Sequence, residues 1–236
     1  AGTDPALPGC DAVVDGIIDA DELPLRAGAG ATSVRNAPGS LVAFAPDGVQ
    51  DGEGVALWDL QEGAEDAGGA VLVEAAGADW WGDAAPGATH LAVLAPERPE
   101  LGTLLSLDAS GLWIHGLASI AREPAAQRHL LVYDAPLKSL LWPLTVGQSW
   151  GQRVTFRDAT IGGLPNAGVE DWSFSVVARG EAILPGGTRV RDVLAVRSEV
   201  RRRLAAAAGW EENEETRYGL SLFGPCVGEL LRVSGL

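Results

Sequence analysis

The sequence predicts an all-β chain built from curved antiparallel sheet, as a half-barrel or a sandwich, with a short acidic loop near its N-terminus. From Leu23 onward, short apolar or alternating runs are cut by turn signals every eight to twelve residues, the spacing of sheets rather than helices. Gly 31 and Pro 14 supply the many turns that such a fold needs. The run 188–201 alternates: Val190, Leu194, Val196 and Val200 share one face, Arg191, Arg197, Glu199 and Arg201 the other, the period of two expected of a strand with one wet side.

In chain order, residues 1–9 hold two prolines and two glycines and read as a flexible or docking arm, and the acidic loop 11–22 follows. Residues 10–236 then form a single β-rich domain. Its first strands are expected at 40–45, ending in Pro46-Asp47-Gly48, at 54–60, ending in the acidic stretch 61–69, and at 70–75. Runs at 89–95, 101–107, 112–120 and 128–134 continue the pattern, the second of them ending at Asp108-Ala109-Ser110-Gly111. The second half begins with 140–150, and 154–158 and 169–178 flank the loop Gly162-Gly163-Leu164-Pro165-Asn166. Residues 181–184 lead through Pro185-Gly186-Gly187 into 188–201, and 216–223 and 227–233 close the fold. A helical turn competes only at 204–209, which is too short to hold a helix alone.

The formal net charge of −15, with Lys138 the single lysine, describes an acidic surface that repels nucleic acid and anionic lipid alike. No run of 18 apolar residues exists, so no transmembrane segment is expected. The chain begins at Ala1 and has no Met, which predicts a processed product whose secretory leader has been removed. Its two cysteines, Cys10 and Cys226, each sit in a Gly/Pro turn context, and a sparse even count in an oxidising compartment predicts one disulfide. The expected location is therefore the extracellular space, the cell surface or the periplasm.

Counted as an EF-hand loop, residues 11–22 offer oxygen from Asp11, Asp15, Asp19 and Glu22 and the Ile17 carbonyl, with Gly16 at the sharp turn. Val13 stands where a ligand is needed, so the loop reads either as a weak Ca²⁺ site or as an acidic turn without an ion. Eight tryptophans suggest core packing first and an aromatic platform second. Trp80 and Trp81, if in a strand, point to opposite faces, which leaves one ring for contact with a partner. The histidines His90, His115 and His129 lack metal spacing, and no Gly-x-Ser-x-Gly elbow occurs, so no catalytic residues and no enzyme are expected.

Four segments together carry a resemblance. They are Cys10 with its Asp/Gly-rich loop and Glu22-Leu23-Pro24-Leu25, then Pro143-Leu144-Thr145-Val146-Gly147-Gln148-Ser149-Trp150, then Leu184-Pro185-Gly186-Gly187-Thr188, and Gly224-Pro225-Cys226-Val227-Gly228. The chain resembles a family of uncharacterised exported or lipoprotein domains of Gram-negative bacteria. The resemblance implies a curved sheet, in the manner of the half-barrels of periplasmic lipoprotein carriers, and brings no catalytic residues. Two functions follow as expectations. The first is a non-enzymatic structural or assembly protein of the cell exterior, self-associating as a surface polymer or filament or joining another envelope protein. The second is a carrier with an apolar ligand in a half-barrel cavity.

Overall fold

The computed structural model describes residues 15–23, 28, 30–35, 45–50, 55–61, 66–75, 79–93, 100–122, 124, 127–205 and 213–235. The fold is all-β, a strongly curled antiparallel half-barrel. Its strands are β1 (Gly30–Arg35), β2 (Val49–Gln50), β3 (Ala56–Asp59), β4 (Asp66–Ala75), β5 (His90–Ala92), β6 (Leu101–Asp108) and β7 (Gly111–Ser119). There follow β8 (Leu130–Leu141), β9 (Ser149–Ile161), β10 (Leu164–Ile183), β11 (Arg189–Leu204), β12 (Asn213–Gly224) and β13 (Gly228–Gly235). Along the sheet the order is β1-β4-β5-β6-β7-β8-β9-β10-β11-β12-β13, while β2 pairs β3 and β3 pairs β10.

Most connections are hairpins whose turns were legible as Gly-rich pairs. Gly162 and Gly163 carry φ of 56° and 77°, so the β9–β10 connection is a tight two-residue turn. Leu164, Pro165 and Asn166, expected in that loop, belong to β10. Gly186 and Gly187, at φ of 89° and 83°, turn β10 into β11. The acidic stretch 61–69, expected as a turn, already contains the start of β4 at Asp66, where pairing to Arg35 extends the strand. The run 140–150 is not one strand: β8 ends at Leu141, Leu144 bridges to Ile18, and Gly147 turns with φ 86° before β9 begins. The expected strand at 40–45 lies largely outside the described residues, as does most of 204–209.

β8 and β9 share one ladder pair, Leu130 with Thr160, and then separate. Pro136 lies in β8 and has no N–H to give to a ladder. The Gln152 side chain stands in for the missing rungs: its oxygen accepts from the Lys138 N–H at 2.9 Å, and its amide donates to the Pro136 carbonyl at 2.9 Å. Trp150 closes the same seam, its Nε1–H donating to the Lys138 carbonyl at 3.0 Å.

Strands β10 and β11 are covered on both faces. One face carries the largest core, with Leu137, Leu140, Leu144, Phe156, Phe174, Leu194 and Val196. The other carries Ala56, Trp58, Ala182, Val190, Val193, Ala195 and Leu222. The expectation that Val190 shares a face with Leu194 and Val196 is therefore corrected. Between the pairs Gly180–Val193 and Ala182–Val190, Arg191 and Asp192 together oppose the single residue Glu181. This β-bulge shifts the alternation by one residue and moves Val190 to the face of Val193 and Ala195. β3 reaches β10 on its far half, where Gly180 is required: a Cβ there would lie 1.9 Å from the Ala56 carbonyl oxygen.

Candidate functional site

The acidic loop folds on itself. Asp15 Oδ1 accepts from the Ile17 N–H at 2.9 Å, and Glu22 Oε2 accepts from the Asp19 N–H at 3.0 Å, capping a 3₁₀ turn over Ala20–Glu22. Two of the expected calcium ligands are thus turned to the loop's own backbone, and Asp11 lies outside the described residues. Among the described residues no group of three or more His, Cys, Asp or Glu is placed to hold a metal. Gly16, at φ 85°, serves the fold: a Cβ would collide with the Arg179 guanidinium, so the loop lies directly on that side chain. Cys226 is fully buried at φ 60°, and its N–H donates to the Glu22 carbonyl at 2.7 Å. The other half of the expected disulfide, Cys10, lies outside the described residues, as does the arm 1–9.

Trp80 and Trp81 are not in a strand. They open a turn in which the Trp81 carbonyl accepts from the N–H groups of Ala84 and Ala85. Trp81 is 2% exposed and packs with Ala85, Leu91, Leu104 and Ala118. Trp80 is half-buried, its Nε1–H donates to the Ser119 carbonyl at 3.0 Å, and the Arg128 guanidinium lies 5.7 Å from its ring centroid. The strand placement is thus corrected: the pair opens a turn, with Trp81 in the core and Trp80 part-buried against the sheet.

A fully buried polar constellation centres on a residue that the sequence reading did not single out. Glu170 on β10 is fully buried. Its Oε2 accepts from Tyr133 Oη at 2.7 Å and from Trp172 Nε1 at 2.8 Å, and its Oε1 accepts from Arg202 Nε at 2.6 Å. The carboxylate is thereby held by three donors from β8, β10 and β11, the arrangement that a buried charge requires. Burial, and then the negative charge of Glu170, push the Tyr133 hydroxyl well above the ordinary tyrosine range. Beside it, Trp172 stacks on Phe174 at 5.5 Å, and Phe174 on Trp150 at 5.2 Å. Neither open cavity described below is lined by Glu170 or Tyr133, so the constellation fastens β8 to β10 and β11. A signal for it was present: Glu170 has the same parity as Trp172, Phe174 and Val176, a charge on an apolar face.

Because Tyr133 stays neutral in the fold to higher pH than in the unfolded chain, its contribution is complete below pH ~10 and is lost as pH rises through the raised folded value. Unfolding free energy is expected to fall by about 1.4 kcal/mol per pH unit above pH ~10 in the wild type. In Tyr133→Phe this component is absent. Chemical denaturation between pH 8 and 11.5 reads the difference, and equal slopes for the two proteins would refute the assignment. With one lysine in the chain, few other groups titrate there.

A Ser–His pair occurs at another bulge, where Ser106 Oγ lies 2.8 Å from His115 Nε2. Burial lowers the His115 value. Among the described residues no carboxylate hydrogen-bonds this imidazole, the orienting contact of a nucleophile–base pair.

Among the described residues, two open cavities lie against β10 and β11. One, of ≈ 600 Å³, lies across β10–β13 beside Pro46 and is lined by Ser173, Arg197, Glu199, Tyr218, Leu220 and Val233 among others. The second, of ≈ 700 Å³, is lined by Gln50, Val55, Val146, residues 177–181, Arg191 and Asp192. The chain matches no family model, no curated protein and no solved structure.

Proposed function

We propose that this chain is a non-enzymatic structural or assembly protein of the cell exterior, a subunit that joins its neighbours through the open edges of its sheet. The observation that carries this reading is the unclosed order of the sheet. Among the described residues β1 pairs only with β4 and β13 only with β12, so a thirteen-stranded sheet ends in two edge strands instead of closing on itself. Edge strands offer backbone donors and acceptors to another chain, the means by which strand addition links subunits. The filled interior supports the same reading. Among the described residues Leu137, Leu140, Leu144 and Phe156 pack side by side where a carrier would need an apolar chamber.

An exported, oxidised location belongs to this reading, and with it a Cys10–Cys226 bridge. Its support is the buried Cys226 and the hydrogen bond from its N–H to Glu22, which brings the acidic loop that follows Cys10 against the Cys226 turn. Light scattering on the native protein tests the assembly. The expected result is a particle of several subunits whose mass rises with concentration; a monomer of 24.4 kDa at every concentration would overturn it. Peptide mapping of the same unreduced sample reads the bridge, and free thiols at both cysteines would remove it.

A further inference from the structure

Strand register organises the ≈ 600 Å³ cavity across β10–β13. Directly opposed residues of antiparallel strands share a face, so two rows of side chains stand next to each other on it. One row is Ser175, Arg197, Leu220 and Val233, and the next is Ser173, Glu199, Tyr218 and Gly235. Leu220 is buried and closes the floor, whereas Tyr218 is 55% exposed. Glu199 flanks the phenol ring on β11, and on β13 Gly235 has no side chain to cover it. Pro46 lines the same cavity, and Asp47 beside it pairs with Arg197 at 2.6 Å.

We infer that this cavity binds a neutral carbohydrate, a short chain of pyranose rings with equatorial hydroxyls, one ring of which stacks on Tyr218. Three observations select this class. Such a sugar is apolar across its C–H face and polar around its rim, and Tyr218 offers a flat exposed ring with a carboxylate on one flank and an open second flank. The charges of the cavity are matched within the protein, Arg197 by Asp47 and Glu199 by Arg201 at 2.9 Å, so an ionic ligand gains little. Hydrogen-bonding capacity remains all the same: Arg197 reaches Asp47 through Nη2 alone, and Glu199 accepts from Arg201 through Oε1 alone. A hydroxyl donates and accepts at once, so one sugar rim can use both groups, and the exposed Ser173 continues the polar row. A wholly apolar ligand would instead cover these polar groups without satisfying them. No ion pair has to open for this, because the Arg197 and Glu199 side chains are already 47% and 31% exposed. The inference concerns the face of the sheet and not its edges, so it stands apart from the assembly reading.

Four strands spaced roughly 4.8 Å apart give each row a length of about 14 Å, so the probe is a trisaccharide. Cellotriose, whose hydroxyls are all equatorial, is titrated into the ¹⁵N-labelled whole chain. The expected result is saturable movement of the Glu199, Tyr218, Gly219 and Gly235 amide signals. Tyr218→Ala removes a side chain that faces solvent and should weaken binding about tenfold, while Tyr218→Phe keeps the ring and should stay within about threefold. Glu199→Ala should weaken it about fivefold. Val146→Asp, in the other cavity, should leave the affinity unchanged. The inference is overturned if cellotriose moves no signal at about 20 mM, if Tyr218→Ala binds as the wild type does, or if Tyr218→Phe binds as weakly as Tyr218→Ala. It is equally overturned if N-acetyl-valyl-alanine N-methylamide moves these signals and cellotriose does not.

Discussion

Replacing Glu170 by Ala is expected to lower the unfolding free energy by about 3–5 kcal/mol, because it removes a buried carboxylate that satisfies three donors at once. Arg202 would lose its buried, hydrogen-bonded counter-ion, and Tyr133 Oη and Trp172 Nε1 would lose their acceptor. Glu170→Gln keeps an acceptor of the same size and should lose less than Ala does. The neighbouring Asp171 supplies the control. It pairs with Arg153 at 2.6 Å and Arg203 at 3.0 Å, yet all three side chains are open to water. Asp171→Ala should therefore cost below ~1 kcal/mol. Urea denaturation of the three variants measures the contrast, and similar losses at 170 and 171 would show that burial does not govern this network.

The second large effect is expected at Trp81. Truncation to Ala should cost about 3–5 kcal/mol, since the indole fills the space between Leu91, Leu104 and Ala118. Trp80→Ala removes one hydrogen bond and one cation–π contact at a half-buried position and should cost about 1 kcal/mol. The order of these two effects discriminates a turn anchored by Trp81 from a strand in which either ring faces outward. Thermal unfolding of the pair is sufficient, and a larger loss at Trp80 would contradict the turn.

Much of the architecture was readable from local rules. Period-two alternation and Gly pairs located the long strand from Arg189 and the turns at Gly162-Gly163 and Gly186-Gly187, because turn chemistry depends on neighbouring residues alone. The candidate sites were less legible for a physical reason. Asp11, Asp15, Asp19 and Glu22 have ligand spacing in sequence, but two of the carboxylates find backbone N–H groups within the loop. Trp80 and Trp81 differ only in which ring the turn directs into the core. Tyr218 gave no signal at all: it becomes unusual only when the pairing of β11, β12 and β13 sets Glu199 on one flank and Gly235 on the other.

The sequence by itself determined that this chain would make short antiparallel strands joined by glycine turns, since φ preference and alternation act over a few residues. Only the tertiary structure decided which face each side chain joined. One extra residue opposite Glu181 exchanges the faces of Val190 and Leu194, and contact between β8, β10 and β11 determines that Glu170 is enclosed by its donors. Those outcomes depend on the register between paired strands, which no local pattern encodes.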